Sequence, residues 1–254
     1  MTAPLVSLEG ATFRYAGTDA PALEGVTAAF SRGEVVALTG APGAGTTTLL
    51  LVAGGFAPRL VAGTLGGRVR SDARRPGVVF ATPWTQLTGL CHTVLAEAAF
   101  APAGFGLPRD AVRGAAERAL GRLGALHLAA RDPATLSGGE LQRVVVAAAL
   151  AMDPDLLLLD DPAAELDPAG ADELYTLLPR LAAEGAAVLV ATPDTERAAS
   201  VASRALVLEA GRVVADGPPA AVLSDTPAAR IARAAGCPAP LPLDVDALVA
   251  RVAR

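Results

Sequence analysis

The chain has 254 residues, of which 19% are charged, with a formal net charge of -5 and a mean hydropathy of +0.43. That length suits one large α/β domain with lobes, and the acidic balance lacks the basic footprint of a nucleic-acid binder. The longest uncharged apolar run, Val144 to Met152, has nine residues, about half of the ~20 that a membrane-crossing helix needs.

The opening stretch to Gly10 has no basic flank and contains Glu9, unlike a signal peptide, so a cytosolic location is expected. Val6 to Tyr15 and Val26 to Phe30 read as short strands separated by a polar turn region. Glu34 to Thr39 is a compact apolar strand that ends on glycine. The segment from Gly40 to Thr48 is rich in glycine and small hydroxyl residues, and Leu49 to Ala53 reads as a helix body. Arg59 to Arg75 has no strong periodicity; Gly77 to Phe80 is another short buried strand.

From Thr93 the chain turns to alanine-rich helix, most clearly from Asp110 to Ala130, where Val112, Ala116, Ala119, Leu120, Leu123 and Leu126 form an apolar stripe. A further helix is expected from about Ser137 to Met152, with Glu140 in its first turn where the helix dipole favours an acid. Leu156 to Leu159 is an apolar strand leading into Asp160 and Asp161. A helix over about 169–183, a buried strand at Ala187 to Thr192 and a hairpin of 205–209 with 212–215 follow. After Gly217 come a short helix, the proline-rich Cys237 to Pro242 and a terminal helix. Strands alternating with helices, the strand interiors apolar, predict a mostly parallel sheet covered on both faces. Cys91 and Cys237 match no metal spacing and read as free thiols; His92 and His127 read as ordinary surface or core histidines.

Gly40, Gly43 and Gly45, followed by Thr47 and Thr48, have the spacing of a phosphate-binding loop between strand and helix. The glycines allow successive N–H groups to point inward, and the Thr47 hydroxyl suits a magnesium ion. Taken alone, such a loop also arises as an ordinary turn in a chain rich in glycine and alanine. The apolar strand delivering Asp160, a carboxylate placed to hold the ion's water shell, is an independent second piece. Between Gly45 and Thr47 the motif requires lysine, and the chain has Thr46. All 21 basic residues are arginine.

Leu136-Ser137-Gly138-Gly139-Glu140-Leu141-Gln142-Arg143 is the most specific string in the chain, and it resembles the signature of the ABC transporter ATP-binding cassettes. The resemblance covers about residues 5–218. It implies a P-loop NTPase of the ABC type: a mostly parallel core sheet, an antiparallel β-subdomain, a helical subdomain at about 93–152 and, beyond the cassette of residues 1–218, a C-terminal extension of 219–254. It implies that Tyr15 stacks on adenine, that Asp160 binds magnesium, and that Ala164 to Asp167 form the loop running between two cassettes. Ser137, Gly138 and Gly139 then act on ATP held by the partner cassette. More narrowly, Gln86-Leu87, Thr93-Val94, Ala99-Phe100 and 104–108, with a tail containing 222–225 and 234–236, resemble the ATPases of energy-coupling-factor importers.

Four positions depart from that family: Thr46 replaces the phosphate-loop lysine, Ala81 the Q-loop glutamine, Asp161 the catalytic glutamate and Pro193 the switch histidine. Proline offers no side-chain donor or acceptor, and shortening the acid by a methylene displaces it from the productive position. The expected function is a degenerate cassette, binding ATP and Mg2+ weakly at its own loop through Tyr15, Gly40, Gly43, Gly45, Thr46, Thr47, Thr48 and Asp160. It lends its signature to a second ATPase with intact motifs beside transmembrane subunits, on the inner face of the membrane, with no nucleic acid involved. The alternatives are an active ATPase using Asp161 and a non-hydrolytic homodimeric scaffold. Arg230, Arg233, Arg251 and Arg254 in the tail read as solvated helix surface.

Overall fold

A computed structural model describes residues 3–223 of the chain. The first strand, β1 (Val6–Tyr15), buries Val6, Leu8, Ala11 and Phe13. Leu8 and Ala11 are three residues apart, and strict alternation would put them on opposite faces. A bulge between them, with Gly10 at a φ of 61°, returns both to the core side. Strand β2 (Leu23–Phe30) pairs with β1 antiparallel. Then β3 (Val35–Gly40) leads through the glycine loop into α1 (Thr46–Ala53), and β4 (Gly63–Ser71) returns to the other side of β1.

Strand β5 (Pro76–Val79) is followed by a helical part of α2 (Val94–Gly104), α3 (Arg109–Arg122) and α4 (Gly138–Leu150). Next come β6 (Leu156–Asp160), α5 (Pro168–Ala183), β7 (Ala187–Ala191) and α6 (Thr195–Val201). The hairpin of β8 (Arg204–Glu209) and β9 (Arg212–Gly217) turns through Ala210 and Gly211, both at positive φ, before α7 (Pro219–Val222).

Two sheets result. One is three-stranded and antiparallel, in the order β2-β1-β4; the other is six-stranded, in the order β5-β6-β7-β3-β8-β9, parallel at every pair except β8 with β9. The inner strands are apolar at nearly every position because both faces are covered. Leu156 and Leu158 of β6 join Phe13, Phe30, Leu49 and Leu50 beneath the antiparallel sheet. Leu157 and Leu159 point the other way, into a core with Leu120, Leu141, Leu174 and Leu178 of the helices. This is the α/β P-loop NTPase architecture that the sequence implies, with its antiparallel and helical parts.

Several elements differ from the sequence reading. Strand β4 lies where no periodicity is visible: it is an edge strand with no buried residue, rich in glycine and arginine, so burial imposes no alternating pattern on it. Helix α3 stops at Arg122 rather than near Ala130, because Gly124, at a φ of 64°, turns the chain and a short 3-10 turn takes over Leu126–Leu128. Helix α1 begins at Thr46, three residues before the expected body, and α6 follows Pro193 unannounced. The sequence expectations for Ser224, Asp225, residues 230–236, Cys237 to Pro242 and the terminal helix lie outside the described residues. Among the described residues no helix is long and apolar enough to cross a membrane.

Tyr175 of α5 is 1% exposed. Its hydroxyl, beside Thr192, has no partner in hydrogen-bond geometry among the described residues, and burial pushes its pKa up to about 12. A buried hydroxyl without a partner carries a desolvation cost that phenylalanine avoids. Tyr175→Phe is therefore expected to leave stability unchanged or raise it by about 1 kcal/mol in urea denaturation. A clear loss would mean that the hydroxyl is held by a group not in contact with it here.

Candidate functional site

The glycine loop lies at the carboxyl ends of the parallel strands, where ligands of open α/β sheets bind. Two of its glycines are required by what surrounds them. A Cβ on Gly40 would lie 2.5 Å from the Leu208 carbonyl oxygen and 2.7 Å from the Ala44 side chain. One on Gly45 would lie 2.5 Å from the Ala22 carbonyl oxygen, and Gly45 also holds a φ of 103° as the residue capping α1. Gly43 has open space around it but a φ of 82°. The loop is thus clamped between β8 and the turn before β2. No side chain caps α1, so its first-turn amides are left for an anion.

The three threonines that follow have separate surroundings. The Thr47 hydroxyl donates to Asp160 Oδ2 at 2.7 Å, joining α1 to the end of β6. The Thr48 hydroxyl is 2.9 Å from the Tyr15 hydroxyl, and the Tyr15 ring meets Phe13 edge-on at 5.1 Å. Thr46 is half-buried and forms no side-chain hydrogen bond among the described residues. Thr47 and Asp160 offer two hard oxygen donors side by side, which fits a magnesium ion, since that ion keeps most of its shell as water and phosphate oxygen. Among the described residues no cluster of three or more His, Cys, Asp or Glu side chains suited to a metal occurs.

Burial raises the Asp160 carboxyl pKa, opposed by the Thr47 hydrogen bond. Asp161 takes a φ of 47°, its N–H donating to the Ala191 carbonyl at 2.7 Å. Its carboxyl is raised first by burial and then by the charges of Asp160 and Asp194. Pro193 is exposed. Beside it, Asp194 caps α6 at Arg197 N and pairs with the Arg197 guanidinium, which also reaches Asp172. Ala81 is followed five residues later by Gln86, whose amide is fully committed: its Oε1 accepts from Phe80 N at 2.9 Å and its Nε2 donates to Phe80 O at 3.0 Å.

The signature string forms the start of α4. Ser137 and Glu140 make a reciprocal capping box, the Ser137 N–H donating to Glu140 Oε2 at 2.8 Å and the Glu140 N–H to Ser137 Oγ at 3.3 Å. The bond from the Ser137 amide is the main reason the Glu140 carboxyl stays below the usual range. The Gly138 and Gly139 amides donate to no protein acceptor among the described residues. No hydrogen bond there links this group to the Gly40–Thr48 loop. The structure therefore brings Tyr15, the loop, Asp160 and Asp161 into one site and leaves Ser137, Gly138 and Gly139 as a second. Two features went unread in the sequence: the Tyr15–Thr48 pair and the Asp194–Arg197–Asp172 network. Neither carries a motif, and each depends on distant segments meeting.

A family model described as ABC transporter matches residues 23–164, over half of the chain. A cobalt import ATP-binding protein of Rhodobacter capsulatus is 39% identical over 231 residues, covering 87% of this chain and 81% of that protein. An energy-coupling factor transporter ATP-binding protein of Methanospirillum hungatei is 36% identical over 239 residues, 91% of this chain; the match spans 59% of that relative's length. Among solved structures, cbiO1 of Clostridium perfringens, described as part of the ABC transporter complex cbiONQ, superimposes with a TM-score of 0.75 at 28% identity. The alignment covers 94% of this chain and 97% of that one.

A carboxyl whose pKa is raised on folding holds a proton that the unfolded chain, with an aspartate pKa of about 3.9, has already released. Its contribution to stability is present at acid pH and is lost as pH rises through the folded value. Asp161→Asn removes that loss. In thermal melts of the nucleotide-free protein the variant is expected to match or exceed the parent at pH 7. The pH-dependent part of the gain should vanish on approaching pH 4, whereas a gap that grows toward acid pH would contradict the burial argument.

Proposed function

This chain belongs to the ABC transporter family, and from that premise we propose that it is a degenerate nucleotide-binding subunit of an energy-coupling-factor type transporter. Its signature serves the ATP site of a partner cassette with intact motifs, and hydrolysis there drives transport through membrane subunits. The cassette is taken to span residues 1–218 with its helical part at about 93–152, followed by an extension of 219–254. The complex sits on the cytoplasmic face of the membrane. No nucleic acid is involved.

The observation that carries this reading is the contrast between the two halves of the site. The start of α4 is complete, with a formed capping box and two glycine amides that have no protein acceptor among the described residues, a helix start suited to an anion. The chain's own loop keeps its clamped backbone and the Thr47–Asp160 pair, but at three positions where the family resemblance expects γ-phosphate contacts it has Thr46, Ala81 and Pro193. None of these carries a charge, and two have no polar side-chain atom. Main-chain amides of the loop can cradle phosphates without turnover. Stabilising the charge that develops during phosphoryl transfer needs a cation, and none of these three side chains supplies one.

At the chain's own loop, Thr47 and Asp160 would hold a magnesium ion, which neutralises phosphate charge when bound. Gly43 and Gly45 orient the loop amides, and Tyr15 presents an aromatic face at its rim. Asp161 keeps a carboxylate near the strand ends, set by its left-handed backbone and by the bond to Ala191. In the partner's site, Gly138 and Gly139 receive the γ-phosphate on their N–H groups, and Ser137 fixes the direction of those groups by capping the helix.

The test is a comparison in the assembled transporter. Ser137→Asp preserves a cap residue but sets a negative charge against the phosphate. It is expected to lower ATP turnover on the order of a hundredfold, the scale of losing an oxyanion donor. Asp161→Asn is expected to change turnover little. Equal losses from the two changes would instead place hydrolysis at this chain's own loop.

A further inference from the structure

The loop between β6 and α5 lies across the start of α4. A Cβ on Gly138 would sit 2.5 Å from Glu165 Oε2, and one on Gly139 would sit 3.1 Å from the Glu165 carbonyl oxygen. The glycine pair is what lets this loop approach so closely. The consequence is electrostatic as well as steric: a carboxylate oxygen lies against Gly138, and the Glu165 main chain against Gly139, at a helix start whose two glycine amides have no protein acceptor among the described residues.

The other acid at this helix start is compensated. Glu140 is held in the capping box and pairs with Arg131 at 3.0 Å. The neighbouring Arg143 is committed to Glu173 at 2.7 Å and to the Leu123 carbonyl. Glu165 is exposed and has neither an ion pair nor a side-chain hydrogen bond among the described residues. An acid with no cation gains from the positive end of a helix dipole, so the start of α4 is the favourable place for it when no phosphate is present.

We propose that Glu165 is an autoinhibitory carboxylate, occupying the start of α4 in the nucleotide-free chain and opposing arrival of the γ-phosphate presented by a partner cassette. This rests on the reading that α4 receives that phosphate. To bind, the phosphate must displace the Glu165 side chain or meet its charge at contact distance. Either route raises the ATP concentration at which the two cassettes close. Because Glu165 is exposed, the repulsion is moderated by water and by salt, which suits a threshold rather than a block.

The experiment uses the complex isolated from membranes with the full chain, carrying fluorescent labels on the two cassettes. The ATP concentration for half-maximal association is read by energy transfer, with turnover recorded alongside. Glu165→Gln, which keeps the shape and removes the charge, is expected to lower that concentration about fivefold, with maximal association unchanged. Glu165→Ala should act in the same direction, and the difference from the parent should shrink at about 1 M salt. An unchanged or higher half-saturating concentration in both variants overturns the proposal. Ser137→Asp separates the two levels of inference. If it weakens ATP-driven association while the Glu165 variants do nothing, α4 receives the phosphate and Glu165 does not guard it; if it has no effect, the functional reading falls and the proposal with it.

Discussion

Everything at the nucleotide end of this molecule depends on β3 running through the middle of the six-stranded sheet, paired in parallel with β7 on one side and β8 on the other. A central parallel strand cannot turn back on itself, so the chain leaves its carboxyl end through a loop and crosses over as α1. The neighbours fix how tight that loop is. Gly40 stays in register with Leu208, and any side chain there would collide with the Leu208 carbonyl. Gly45 meets Ala22 in the turn that leads into β2 of the antiparallel sheet. The phosphate-loop shape is thus set by packing between the two sheets and is independent of whether a nucleotide is turned over, which explains how a loop without lysine keeps its form.

The same framework brings Asp160 to Thr47. Strand β6 is separated from β3 by β7 alone, and the 2.7 Å hydrogen bond closes that gap across the strand ends. Asp161, one residue on, is carried by a left-handed backbone and hydrogen-bonded through its amide to β7, so its direction is dictated by the sheet. Both acids are held in a partly buried environment that raises their carboxyl pKa values. That arrangement favours a cation in the site, since among the described residues neither acid is paired with one.

Much of this was legible in the sequence. Leu156 to Leu159 and Ala187 to Thr192 read as buried strands because a strand covered on both faces has no polar alternation to confuse it. Ser137 three residues before Glu140 reads as a helix start because the capping box is a local bond pattern. What failed was of the opposite kind. Strand β4 has no fully buried residue and is placed at the sheet edge mainly by pairing with β1, with only Leu65 and Val69 touching the core, so its own composition says little. The end of α3 turned on one glycine in a helix-like run. The Tyr15–Thr48 pair and the contact of Glu165 with Gly138 link segments 33 and 27 residues apart in sequence, and such contacts exist only after the sheets and helices have assembled.

On the proposed function, the start of α4 is built so that phosphate recognition there does not depend on the side chains of the chain's own loop. Ser137 and Glu140 satisfy each other within the chain, so the cap needs no ligand to form. What remains for a ligand is main chain: two glycine amides, with no side chain of their own and with α4 pointing its positive end outward. Main-chain donors cannot be removed by substitution, only covered or misdirected. On the proposed function, a cassette with Thr46, Ala81 and Pro193 at one end can therefore keep a working surface at the other, provided the helix cap is maintained.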